Sequence, residues 1–144
     1  MLVREARARY FAENGLGDGG YHDRFVVLRV AGLPVVAFPN TRQRVRSVRF
    51  HDVHHVLTGY ATSWRGEGEI AAWELASGCR DHWAAWWLDF WAALIGLVLA
   101  PRQIVRAFRR GRASRNLYER EWDDAILERG VGELRRELGL DAAR

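Results

Sequence analysis

Lysine is absent from this 144-residue chain, so all 22 basic side chains are arginine; cysteine and methionine occur once each and proline three times. A single cysteine, Cys79, excludes an internal disulfide framework and fits a reducing compartment. Residues 1–20 lack the apolar stretch that a secretory signal requires, so no signal peptide is expected. No segment repeats, none is of low complexity, and no linker is long enough to separate two domains. One domain over residues 1–144 is expected, large enough to bury a core. At 28% charged and 49% hydrophobic, the chain is neither disordered nor wholly membrane-embedded. Its net charge of +4 is carried by arginine forks, which grip phosphate and carboxylate bidentately and point to anionic partners. No nucleic-acid-binding motif accompanies them, and nucleic acid is not an expected partner.

What is there reads as mostly helix. Residues 3–14 form an Arg-rich first helix, taken as exposed, and four glycines between 15 and 20 form a loop. Residues 24–30 and 34–38 are β-branched, broken at Gly32 and stopped at Pro39-Asn40; they read as a hairpin that must pack on helices. One buried apolar segment broken at Gly32 and Pro34 is the other reading. Asn40 or Thr41 caps a helix that runs to Thr58-Gly59. Residues 67–76 form the next helix, with Ser77-Gly78 as its stop, and residues 114–140 read as two short charged helices. The fold class is therefore mainly α, a multi-helix bundle with a small hairpin near its N-terminus.

The most informative stretch is His51-Asp52-Val53-His54-His55, followed twelve residues later by Glu67. On a helix each residue turns about 100°, so His51 and His55 share a face and Asp52 lies one turn from His55. Glu67 returning from the next helix then closes a four-ligand set of His51, Asp52, His55 and Glu67 around one divalent metal. Zinc is the expected ion as isolated, with iron or manganese as alternatives, because ligand type alone does not choose. His54, about 100° from His55, is a candidate proton relay. Arg42, Arg46 and Arg49 form a basic stripe that reads either as a solvated face or as an anion grip beside the metal. Other histidine motifs fit less well. A desaturase-type histidine box needs several such boxes between membrane spans, and a zinc-protease motif needs Glu at position 52. Phosphohydrolases of the His-Asp type need further ligands on other helices.

His51-Asp52-x-x-His55-x11-Glu67, with Val56-Leu57-Thr58-Gly59 directly after His55, resembles the metal motif of the fourth protein family of the coenzyme Q (ubiquinone) biosynthesis series. The closing Val131-Gly-Glu-Leu-Arg-Arg-Glu-Leu-Gly-Leu140 is similar to the end of that family, and the resemblance covers roughly residues 40–140. It implies a metal-dependent protein that removes the C1 carboxylate of a prenylated aromatic acid and hydroxylates that carbon. The same resemblance implies association with other quinone-biosynthesis proteins, peripherally on the cytoplasmic face of a bacterial inner membrane. A non-catalytic prenyl-lipid scaffold with a structural metal is the competing expectation.

Residues 83–100 carry one formal charge, Asp89, in eighteen positions, with Trp83, Trp86, Trp87 and Trp91 at one end and a run of arginines beyond Pro101. That length is borderline for a membrane span. Trp at one end and Arg past the other suit a membrane interface. Ala85, Asp89, Ala92, Gly96 and Ala100 form a stripe that lets another helix approach closely. Three readings stay open: a buried or oligomer-facing helix, which would make the protein a homo-oligomer, an interfacial helix, and a spanning helix.

Overall fold

In the computed structural model, which describes residues 1–30, 33–79 and 82–141, the chain is mainly helical, with one two-stranded antiparallel hairpin. Helix α1 (Val3–Asn14) begins where the Glu5 carboxylate accepts from Leu2 N–H and ends on Gly15 at φ 64°. The sequence reading left this helix exposed, but it buries Val3, Ala6 and Phe11. Val3 N–H also donates to the Arg129 carbonyl, which ties the N-terminus to the far end of the chain.

Strands β1 (Phe25–Val30) and β2 (Leu33–Pro39) pair antiparallel, with a register shift at Leu28/Arg29. Gly32, the proposed break, lies outside the described residues. The expectation that the hairpin packs on helices fails at Phe25, Val27 and Leu33, which are exposed. Asn40 anchors the hairpin's base instead, its amide donating to the carbonyls of Gly20 and Asp23.

Helix α2 (Arg42–Thr58) is capped by Thr41, whose side chain accepts from Arg44 N–H, and closes on Gly59 at φ 78°. Helix α3 (Trp64–Ser77) starts three residues before the position read from sequence, because the Ser63 hydroxyl caps it. Glu67 thus sits in the first turn of α3 rather than at its start. Helix α4 (Trp83–Leu99) lays Ala85, Asp89, Gly96 and Ala100 inward, and Pro101 opens α5 (Pro101–Arg112). Contact between α3 and α4 is backbone-close: a Cβ on Gly68 would stand 2.9 Å from the Gly96 Cα. A Cβ on Gly111 of α5 would stand 2.4 Å from the Trp73 carbonyl oxygen. Helix α3 is therefore the central element, flanked by α2, α4 and α5.

The charged tail differs from the two helices expected of it. Residues 114–123 are largely irregular, followed by a 3-10 turn at Asp124–Glu128 and helix α6 (Val131–Glu137). The irregular stretch keeps its backbone satisfied through side chains. The Asn116 amide donates to the Gly78 carbonyl, and Leu117 N–H donates to a histidine of α2. Leu117, Leu134, Leu138 and Leu140 then close the main core against Phe50, Val53, Leu57 and Trp73.

Candidate metal centre

Helix α2 presents His51 and His55 on one face, and α3 brings the Glu67 carboxylate to them. The Nε2 atoms of the two histidines lie 3.1 Å apart, and Glu67 oxygens lie 3.5 Å from His51 Nε2 and 3.4 Å from His55 Nε2. Bonds of about 2.0–2.2 Å to a tetrahedral ion place neighbouring donors roughly 3.3–3.6 Å apart. The Glu67 carboxylate spans the two imidazoles, Oε2 facing His51 and Oε1 facing His55, and one donor atom from each of the three residues lies within 4.8 Å of the others.

The opposite ring nitrogens decide which atoms face inward. His55 Nδ1 meets the Tyr60 carbonyl at 2.9 Å, and a carbonyl can only accept, so Nδ1 carries the hydrogen. His51 Nδ1 donates to Glu74 at 3.0 Å. Both neutral rings therefore aim an Nε2 lone pair at the same point. Lone pairs 3.1 Å apart need a positive charge between them, a proton or a metal ion. Burial disfavours a charged His51, but Glu74 and Glu67 outweigh it and raise its pKa well above the usual value. Burial likewise works against ionised Glu67, yet the histidine hydrogen bonds bring its pKa down to about 2. Tyr10 stacks on His55 with ring centroids 5.3 Å apart.

Asp52, proposed as the fourth ligand, does not converge with these three. Neighbours on a helix diverge by about 100°. Its carboxylate accepts a short hydrogen bond from the Tyr21 hydroxyl. Burial raises its pKa against the opposing pull of Tyr21 and the two histidines. The donor set gathered in one place is two imidazoles and one carboxylate.

His54 does not serve as a relay at this cleft. It is fully buried, and its Nε2 accepts from Leu117 N–H at 3.0 Å, which fixes the hydrogen on Nδ1. That hydrogen goes to Glu74 at 2.6 Å, and burial lowers the pKa of the ring. His54 is a structural strut between α2, α3 and the tail.

Glu74 joins these histidines, and sequence reasoning missed it. Fully buried, it accepts from both His51 and His54, with Tyr118 and Asp89 against the same carboxylate. Burial would raise its pKa, but the histidines overcome that and hold it well below the carboxylate range. Burial and the Glu74 charge push Asp89 well above its ordinary value. His51, Glu74 and Asp89 form a second group with metal-ligand spacing, sharing His51 with the first. The signal was available: Glu67 and Glu74 are seven residues apart, two turns along one face of α3.

The arginine stripe lies elsewhere. At about 100° per residue, Arg42, Arg46 and Arg49 fall roughly 140–180° from His51, on the far side of α2. They border an open basin of about 620 Å³ with Tyr21 and Trp122. There Arg46 donates to the Arg120 carbonyl and Arg49 stacks over both rings. On the His51 side a cavity of about 290 Å³ is bordered by Arg44, Val48, His51, Glu67, Leu88 and Asp89 among others.

The chain matches no protein-family model, no curated protein and no solved structure, so its geometry carries the functional reading.

Proposed function

We propose that this is a divalent-metal-dependent protein of quinone biosynthesis, which decarboxylates and hydroxylates C1 of a prenylated aromatic acid at a membrane surface. In that reaction the carboxyl leaves as carbon dioxide, while dioxygen and water, as oxidant and oxygen source, end as the hydroxyl and hydrogen peroxide. The observation that carries the reading is the pair of imidazoles oriented through Nδ1, by Glu74 and by the Tyr60 carbonyl, with both Nε2 atoms turned to Glu67. Histidines that ligate metals are ordinarily held in this way, by a carboxylate or carbonyl on the other nitrogen. His51 Nε2, His55 Nε2 and Glu67 would hold the ion. Three protein donors leave a coordination position for a ligand, the pattern of catalytic rather than structural sites. When bound, a divalent ion supplies Lewis acidity to a ligand oxygen. Zinc cannot change oxidation state, so the oxidative reaction requires the iron or manganese form.

The protein's own residues set the rest. Glu74 fixes the His51 ring, Tyr10 covers His55, and apolar side chains such as Val48 and Leu88 border the cavity beside the donors. The outward face of α4 exposes Trp86, Trp87, Phe90 and Trp91, which suits a peripheral seat on the bilayer. Other quinone-biosynthesis proteins and the cytoplasmic leaflet of a bacterial inner membrane are the partners this reading assigns.

That exposed apolar face also favours a second reading, a prenyl-lipid scaffold with a structural metal. Elemental analysis of the purified protein beside Glu67→Ala tests the centre. About one equivalent of metal, lost in the variant, is expected for a single site of this donor set. Equal metal in both proteins removes the assignment. Turnover of 4-hydroxy-3-prenylbenzoate by the iron- or manganese-reconstituted protein then separates the readings, since a scaffold gives none.

A further inference from the structure

Among the described residues, Arg44 is the one arginine bordering the cavity beside His51 and Glu67, and it is not a member of the stripe that the sequence advertises. Arg44 lies seven residues before His51, about 20° from it around α2, so both project from one face. The Arg44 guanidinium is held in place: Nη1 donates to Asn40 Oδ1 at 2.7 Å. The Asn40 amide cannot flip, because its Nδ2 already donates to the carbonyls of Gly20 at 3.0 Å and Asp23 at 2.9 Å. A cation anchored in this way meets a ligand with its geometry set beforehand. Val48, Ala71, Ala85, Leu88 and Ala92 supply the apolar part of the lining, beside the carboxyls of Glu67 and Asp89. A space of about 290 Å³ with a partly apolar lining and a fork-shaped cation suits a ring or short hydrophobic body bearing one carboxylate.

We propose that Arg44 is the specificity-determining residue of this cavity and takes the carboxylate of an aromatic monocarboxylic acid. Arg42, Arg46 and Arg49 take no part in that recognition. The ligand class rests on the function proposed above; the assignment to Arg44 rests on the cavity.

The test is calorimetric titration of 4-hydroxy-3-prenylbenzoate and its methyl ester into zinc-loaded and metal-depleted protein. Arg44→Met is expected to weaken the acid about tenfold or more in both forms, while the ester binds as before. Arg44→Lys, which keeps the charge and loses the fork, should fall between. Arg49→Met should match the wild type, and zinc content should be equal in every variant. Equal losses for acid and ester, no loss for either, or an Arg49→Met effect as large as that of Arg44→Met would overturn the assignment. So would a wild type that binds acid and ester alike. Failure of the functional reading looks different: no zinc uptake or no turnover, with the Arg44 effect on the acid intact in metal-depleted protein.

Discussion

Glu74 concentrates the chemistry of the molecule in one side chain. A dry carboxylate survives as an anion only when its oxygens are filled by donors, and here His51 and His54 both donate to it. Glu74→Gln would turn an NH₂ group towards an imidazole N–H. We expect a loss of roughly 1–3 kcal/mol in urea unfolding. Metal affinity should fall by about 10–100-fold in competition with a chromophoric chelator. An unchanged variant in both assays would remove Glu74 as the orienting group. The histidine–carboxylate pairs also set a pH profile for the metal-free protein. His51 has a raised folded pKa, so its contribution is complete below 6.5 and is lost as pH rises through the folded value. Glu67 is depressed from 4.5 to about 2, so its contribution is complete above 4.5 and disappears as pH falls towards 2. Stability from these pairs should peak between 4.5 and 6.5 and fall on both flanks, measured as Tm against pH. Glu67→Gln should flatten the acid flank; an acid flank unchanged in that variant would show that other carboxylates produce it. Zinc at neutral pH must displace the His51 proton. Calorimetry in buffers of different ionisation enthalpy should therefore report release of about one proton per zinc.

Helices α3 and α4 meet through Gly68 and Gly96, and the contact leaves no room for a methyl group. Gly96→Val should cost about 1–3 kcal/mol by overpacking, and it should loosen Asp89 from Glu74 as α4 moves away. Denaturant unfolding checks the first effect; no loss would mean that α4 slides freely. This contact was legible in the chain, because small residues recur at Ala85, Ala92, Gly96 and Ala100 on one side of a strongly apolar helix. His51, His55 and Glu67 were legible too, since one turn of α2 aligns the histidines and the spacing returns the carboxylate. Asp52 was not, because its burial is settled by Tyr21 from a loop thirty-one residues away. Glu74 was legible only by its spacing, seven residues after Glu67 on one face of α3; its pairing with histidines of another helix is a tertiary fact. The Arg44 placement was there to be read: turning α2 by its own pitch separates it from the stripe. The hairpin shows the limit of local pattern, since its β-branched residues form strands yet leave Phe25, Val27 and Leu33 exposed.

Across the whole molecule, apolar exposure is uneven. Ten large hydrophobic side chains of α4 lie in the open, from Trp86 to Leu99, and Val105 and Phe108 of α5 continue the patch. A patch of this kind is unusual on a monomer and marks a surface that associates. Among the described residues no helix is long and apolar enough to cross a membrane. A helix of this length can instead lie along an interface, with tryptophans at headgroup depth. Arg109 and Arg112 of α5 border the patch beside Val105 and Phe108, and the net charge of +4 has the right sign for an anionic leaflet. Trp86→Ser and Trp87→Ser together should reduce flotation with phosphatidylglycerol vesicles several-fold, because partitioning scales with the buried apolar area. The same change should leave fold stability and metal content as they were, since both rings already face outward. Asp89→Leu is the informative contrast. Asp89 faces Glu74 rather than solvent, so that variant should disturb the metal centre and leave flotation unaltered. Added salt should weaken binding through the arginines without abolishing it, because the aromatic contribution is not electrostatic. Flotation unaffected by the double variant would assign the patch to a second copy of the chain. Sedimentation velocity would then show a dimer that the same double variant dissociates.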